Sequence, residues 1–103
     1  MTLRYKTQGL VLSRQDSRDA DRIFWVFTKD FGRVEVLGRG IRKINSKLRG
    51  GIGLFSLSDI EFIQGKGYKT LTDATLIKDF KILRKDLEKL ILVFKASDVL
   101  NLL

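Results

Sequence analysis

Two short glycine-bearing segments, KDFG at 29–32 and GKG at 65–67, each separate a pair of runs rich in β-branched and aromatic residues. Links that short predict hairpins, in which neighbouring strands run antiparallel. No proline occurs in the 103 residues, so glycine carries the punctuation. Gly32 is free to take the positive φ that closes such a turn. The runs on either side read as five strands: YKTQGLVLSR (5–14), RIFWVFT (22–28), RVEVLGRG (33–40), IGLFSLSDIEFIQ (52–64) and YKTLTDATLI (68–77). Two longer connections, at about 15–21 and 41–51, interrupt the hairpins.

Alternation assigns faces within the strands. In the second run Ile23, Trp25 and Phe27 share one face, and Phe24, Val26 and Thr28 share the other. A strand apolar on both faces is either covered twice or uses one face for binding. From Ile82 the period changes. Leu83, Leu87, Leu90 and Phe94 recur at helical spacing, and Val93, Ala96, Leu100 and Leu103 extend a second stripe beside them. A helix is predicted over 82–103. A small barrel covers one stripe, so the second expects a neighbour: the chain is a piece of a longer protein, or it forms a homodimer through this helix. The expected organisation is a barrel over 1–80, with 82–103 opening a missing helical C-terminal domain.

A chain of this length buries roughly 65% of its unfolded surface. With 44% hydrophobic and 31% charged residues it reads as globular. It has no cysteine and no histidine. That excludes disulfides, thiolate or imidazole metal sites and the usual nucleophile–base pairs. No convincing carboxylate pair replaces them, so neither an enzyme nor a cofactor is expected. The longest apolar run, LILVF at 90–94, falls far short of the roughly 20 residues of a membrane-spanning helix. The N-terminal MTLRYKTQG has no signal-peptide core. The expectation is a cytoplasmic chain with no membrane contact.

The formal charge of +8 is unevenly placed. Residues 1–50 carry twelve Lys/Arg against five Asp/Glu, and residues 51–103 carry eight against seven. The densest stretch, GRGIRKINSKLRGG at 38–51, holds Arg39, Arg42, Lys43, Lys47 and Arg49 without one acid. Such a run neutralises phosphates and releases condensed counterions, the main term in sequence-independent DNA binding. The bland alternative is a solvated loop, and charge alone also admits acidic membranes or proteins. Glycines 38, 40, 50 and 51 would let a ligand backbone approach closely, or let the loop move.

Five strands, a variable third connection and a sheet carrying aromatics describe an OB-fold, the five-stranded Greek-key barrel that binds oligonucleotides. Single strands are held on such sheets by stacking bases on exposed rings. Trp25, Phe31, Phe55 and Tyr68 are the candidates. An aromatic on an apolar strand such as Trp25 is more often core than platform, and Phe55 reads as core. Tyr68 borders the loop between the last two strands, with Lys66 and Lys69 beside it. The acidic QDSRDAD at 15–21 lacks the spacing of a calcium loop and reads as a capped turn. Neither GRG nor GKG ends in the Lys-Ser/Thr of a nucleotide loop.

Taken in order, YKTQGLVLSR, DADRIFWVFTKDFGRVEVLGRGIRKINSKL and LFSLSDIEFIQGKGYKTLTDATLI resemble the N-terminal domain of the RecO family of bacterial recombination mediators, over about residues 4 to 103. The shared pattern falls on Asp19, Ala20, Asp21, Arg22, Thr28, Gly32, Arg39, Gly40 and Arg42, with Ser46 after the basic residues. The resemblance implies binding of single-stranded and duplex DNA, strand annealing, and recombinase loading with RecR. It also implies single-stranded-DNA-binding protein and RecA as partners of the full-length protein, and a nucleoid-associated location. It implies no covalent chemistry. A second reading keeps the barrel as a protein-docking module that holds RecR or another copy of itself.

Overall fold

The computed structural model describes residues 3–80. The helix expected over 82–103, and the dimer expected through it, lie outside the described residues.

Five strands form: β1 (Leu3–Ser17), β2 (Asp21–Thr28), β3 (Gly32–Gly38), β4 (Ser56–Gln64) and β5 (Lys69–Asp79). They close in a ring in the order β1-β2-β3-β5-β4. Neighbours are antiparallel except β3 and β5, which meet in parallel through Val36↔Lys69 and Leu37↔Thr70 alone.

One long strand makes closure possible. The first half of β1, from Leu3 to Leu10, pairs with β4, and its second half, from Gly9 to Ser17, pairs with β2. A register shift between Val11 and Ser13 lets it bend from one partner to the next. The longer connection expected at 15–21 therefore shrinks to the turn 18–20. Its polar flank continues as strand because Arg22 Nε donates to Asp16 Oδ1 across the pair at 2.7 Å.

Alternation sends Phe24 and Val26 of β2, Val34 and Val36 of β3, and Ile60 and Phe62 of β4 into the interior, and a register shift in β5 opposite Glu61/Phe62 adds both Leu71 and Ala74. Phe55 joins them at 2% exposed, as its reading as core required. The β2–β3 hairpin is closed by Thr28, whose Oγ1 donates to Gly32 O and accepts from Phe31 N, with Gly32 at φ 66°.

The predicted fourth strand starts late. Residues 52–55 are irregular chain ending in a turn, held by Phe55 N–H donating to Val11 O at 3.0 Å and by Ser56 Oγ bonding both backbone groups of Gly53. The basic segment is a series of turns rather than a helix. Within it Ile41 is buried and Leu48 packs against the core, with Ile52 buried just after it, whereas Ile44 is exposed.

Candidate nucleic-acid interface

The outer faces of β2 and β3 carry two clefts. One, of about 500 Å³, is bounded by Arg18 and Asp21 near the β1–β2 turn, by Ile23, Leu37 and Arg39, and by Gln64, Tyr68 and Lys69 at the β4–β5 turn. The other, of about 730 Å³, has Leu12, Arg14 and Gln15 of β1 and Trp25 of β2 along it. They share Arg33, Val34 and Glu35 of β3, so they run together as one trench. Strand register explains the floor. Ile23 lies opposite Leu37, Trp25 opposite Glu35 and Phe27 opposite Arg33, all on the face that the interior leaves over.

The trench is cationic. Arg14, Arg18, Arg33, Arg39 and Lys69 line it against two carboxylates, Asp21 and Glu35. Asp21 is already engaged, since its Oδ1 accepts from Gly40 N at 2.7 Å. Gly40 takes φ 65°, which turns the chain out of β3 so that its N–H meets that carboxylate.

The residues singled out from the sequence divide into three groups. Arg39, Tyr68 and Lys69 meet at one end of the trench, where Arg39 Nη2 donates to Tyr68 Oη at 2.9 Å. Tyr68 is 48% exposed, and Lys66 is exposed beside it in the same turn. Trp25 lines the other part, half-buried. Lys43, Lys47 and Arg49 are exposed on the 39–51 loop and line neither cleft. Arg49 instead shares a separate recess with Arg14, Arg22 and Arg42.

Arg42 is engaged inside the molecule. Its Nε donates to Asp21 O at 3.2 Å, and its Nη2 donates to Arg18 O at 2.7 Å, Asp19 O at 3.0 Å and Ser17 O at 3.4 Å. Its Nη1 lies 3.6 Å from Asp16 Oδ2. The Arg22 hydrogen bond, with further attraction from Arg22, Arg42 and Arg14, holds the Asp16 carboxyl below its ordinary range. The acidic segment thus works as a capped turn, and no group able to hold a metal occurs among the described residues.

Phe31 belongs to another cluster. It meets Tyr5 and Phe62 edge-on at ring-centroid distances of 5.3 and 5.8 Å, at the end of β3 opposite to Arg39. Two glycines read as room for a ligand serve packing instead. A Cβ on Gly51 would strike the Ala74 carbonyl, and one on Gly38 would crowd Phe24 and Ile41. Reasoning from charge runs missed Arg14, Arg18 and Arg33, because Arg18 sits inside the acidic QDSRDAD and the other two have neutral immediate neighbours. Alternation was the available signal for Arg33, which points outward opposite Phe27.

A ring of five strands with a cationic trench across the outer faces of β2 and β3 defines a small β-domain with one concentrated positive face. The family described as Recombination protein O N terminal matches residues 1–80, and the chain belongs to it. It is 32% identical to the DNA repair protein RecO of Acetivibrio thermocellus over 96 residues, 93% of this chain and 38% of that protein. It is 31% identical to that of Roseiflexus sp. over 97 residues, 94% of this chain and 34% of the relative. With that of Nostoc sp. it shares 34% identity over 90 residues, 87% of this chain and 30% of the relative. The chain therefore spans roughly a third of the length of the relatives it matches.

Proposed function

We propose that residues 1–80 are an OB-fold module that binds DNA without catalysis, as part of a RecO-like repair and recombination mediator. The observation that carries this reading is the trench, where five cations flank an apolar floor containing Trp25 and end on the Arg39–Tyr68 pair. Strand order supports the fold: a five-stranded ring with the β2–β3 face and the β1–β2 and β4–β5 turns around one surface is the layout by which OB-folds take oligonucleotides. Arg33, Arg39, Lys66 and Lys69 run along the phosphates, Trp25 and Tyr68 stack on bases, and Lys43, Lys47 and Arg49 extend the grip over the flanking loop. Single-stranded DNA fits the trench, and the loop suits the backbone of a duplex. Strand annealing, recombinase loading with RecR, and contact with single-stranded-DNA-binding protein and RecA fall to the full-length protein in the bacterial cytoplasm, at the nucleoid.

The test is a fluorescence-anisotropy titration of labelled oligo-dT across salt. With about five phosphates neutralised, log K against log[salt] falls with a slope of about −3.5. Affinity that does not change between low and moderate salt overturns the reading. Added magnesium is expected to leave the oligonucleotide intact.

One observation favours the docking alternative as a second role. Beyond Thr70, β5 pairs only with β4 among the described strands, and Leu76 and Ile77 are 42% and 44% exposed. Gly51 covers this edge at Ala74, and the stretch after it, with its exposed apolar residues, would accept an added strand from a partner. Replacing Leu76 and Ile77 with Lys is expected to abolish capture of RecR without altering oligo-dT binding. Unchanged capture removes the docking role.

A further inference from the structure

We infer that Arg42 is a positioning residue that holds the β1–β2 turn so that Arg18 faces the phosphate track; the inference rests on the trench being a DNA surface. Arg42 stands in the run of cations that charge alone assigns to phosphate, yet its Nε and Nη2 donors are spent within the protein. A guanidinium has five N–H groups. Here Nε and Nη2 serve the carbonyls of Ser17, Arg18, Asp19 and Asp21, and Nη1 faces Asp16. Its backbone N–H takes the remaining carbonyl of the turn, Ala20 O, at 2.9 Å. Every carbonyl from Ser17 to Asp21 therefore points at one residue. To fork a phosphate, Arg42 would have to release the turn.

The turn it holds is one that the chain resists. Arg18 sits at φ 42°, in the left-handed region that a residue with a Cβ rarely adopts. The Arg18 carbonyl receives the shortest of the Arg42 bonds, 2.7 Å. That bond fixes the unusual backbone, and the exposed Arg18 side chain then lines the trench with Arg33 and Arg39. Asp21 completes the tie from the other side by accepting from Gly40 N, two residues before Arg42. The β1–β2 turn and the exit from β3 are thereby locked to each other. Arg39, with one bond to Tyr68, keeps donors for a ligand.

The two roles differ in a double-mutant cycle. A positioning residue acts through Arg18, so its effect vanishes once Arg18 is gone; an independent phosphate contact adds to it. R42K is the informative change, because it keeps the charge and loses the planar fork. Oligo-dT binding across salt and amide exchange at residues 18–20 are measured on the 103-residue chain, with folding checked by circular dichroism. R18A alone is expected to weaken binding and flatten the salt slope by about 0.7. R42K is expected to weaken binding about as much and to speed exchange at 18–20. The R18A/R42K double variant is expected to bind no more weakly than R18A. Additive losses overturn the positioning role, and so does unchanged exchange in R42K. R18A that binds like the wild type overturns the assignment of Arg18. Absence of wild-type binding rejects the DNA reading itself, whereas faster exchange in R42K would still establish the clamp.

Discussion

At the scale of single residues, the outer face of β2 separates a binding platform from a second core. Trp25 is the only tryptophan, so its fluorescence reports on the trench alone. Oligo-dT is expected to quench it, and Trp25→Ala is expected to cost about 1–3 kcal/mol of binding, the value of one stacked base. Trp25→Phe retains a ring and most of the affinity. Emission unchanged at saturating oligonucleotide would show that no base reaches this ring. Gly51 makes the opposite point. The sequence offered it as slack for an approaching ligand, but its backbone lies against the Ala74 carbonyl of β5. Gly51→Ala should therefore lower folding stability by about 1–3 kcal/mol, the usual cost of overpacking, and leave the binding of the folded fraction unaltered. A urea midpoint equal to that of the wild type would show that the contact yields freely.

At the scale of elements, hairpins and alternation were legible because local turn chemistry and a period of two are short-range signals. Thr28 and Gly32 close one hairpin, and the inward set Phe24, Val26, Val34 and Val36 follows directly from the pattern. What stayed hidden depends on contacts distant in sequence. The flank of β1 is polar, and only its cross-strand Asp16–Arg22 bond makes it strand. In the basic loop Ile41, Ile44 and Leu48 have helix-like spacing, yet successive turns bury Ile41 and leave Ile44 at 93% exposure. Arg42 carries the same lesson: charge density marked it for a ligand, and its carbonyl partners lie some twenty residues earlier. A cross-strand network on β1, β4 and β5 gives a pH signature. Thr72 Oγ1 donates to Glu61 Oε1 at 2.8 Å, Arg4 donates to the same oxygen at 2.8 Å, and Lys6 lies 3.8 Å from Oε2. The Thr72 and Arg4 bonds hold the Glu61 carboxyl below its ordinary 4.5. A depressed folded pKa contributes stability that is present above the unfolded value and is lost as pH falls through the folded one. Melting temperature should thus fall as pH drops from above 4.5 through the depressed value, and Glu61→Gln should flatten that part of the curve. A variant whose melting temperature tracks the wild type over the same range would discount the network.

At the scale of the whole molecule, the ring order sorts charge by side. The trench crosses the outer faces of β2 and β3, and Asp59, Glu61 and Asp73 lie on β4 and β5, across the ring. A net charge of +8 spread evenly would attract a polyanion from any direction; this arrangement presents one side to it. The consequence is measurable, since the salt slope counts phosphates neutralised at once and is blind to charges that never reach them. Neutralising Arg33, Arg39 and Lys69 to Gln should flatten the oligo-dT slope by about 2, three contacts at about 0.7 each. Asp59→Asn with Asp73→Asn raises the net charge by two and should shift affinity slightly while leaving the slope in place. Lys43, Lys47 and Arg49 provide the internal comparison, because they are as cationic as the trench set and sit on the loop instead. If the loop follows the same backbone, their replacement by Gln also flattens the slope, by the share of the roughly five contacts that the trench set does not supply. If the loop set leaves the slope untouched, the strand runs over β2 and β3 alone. A trench set that leaves the slope untouched removes the trench as the DNA surface, whatever the loop does.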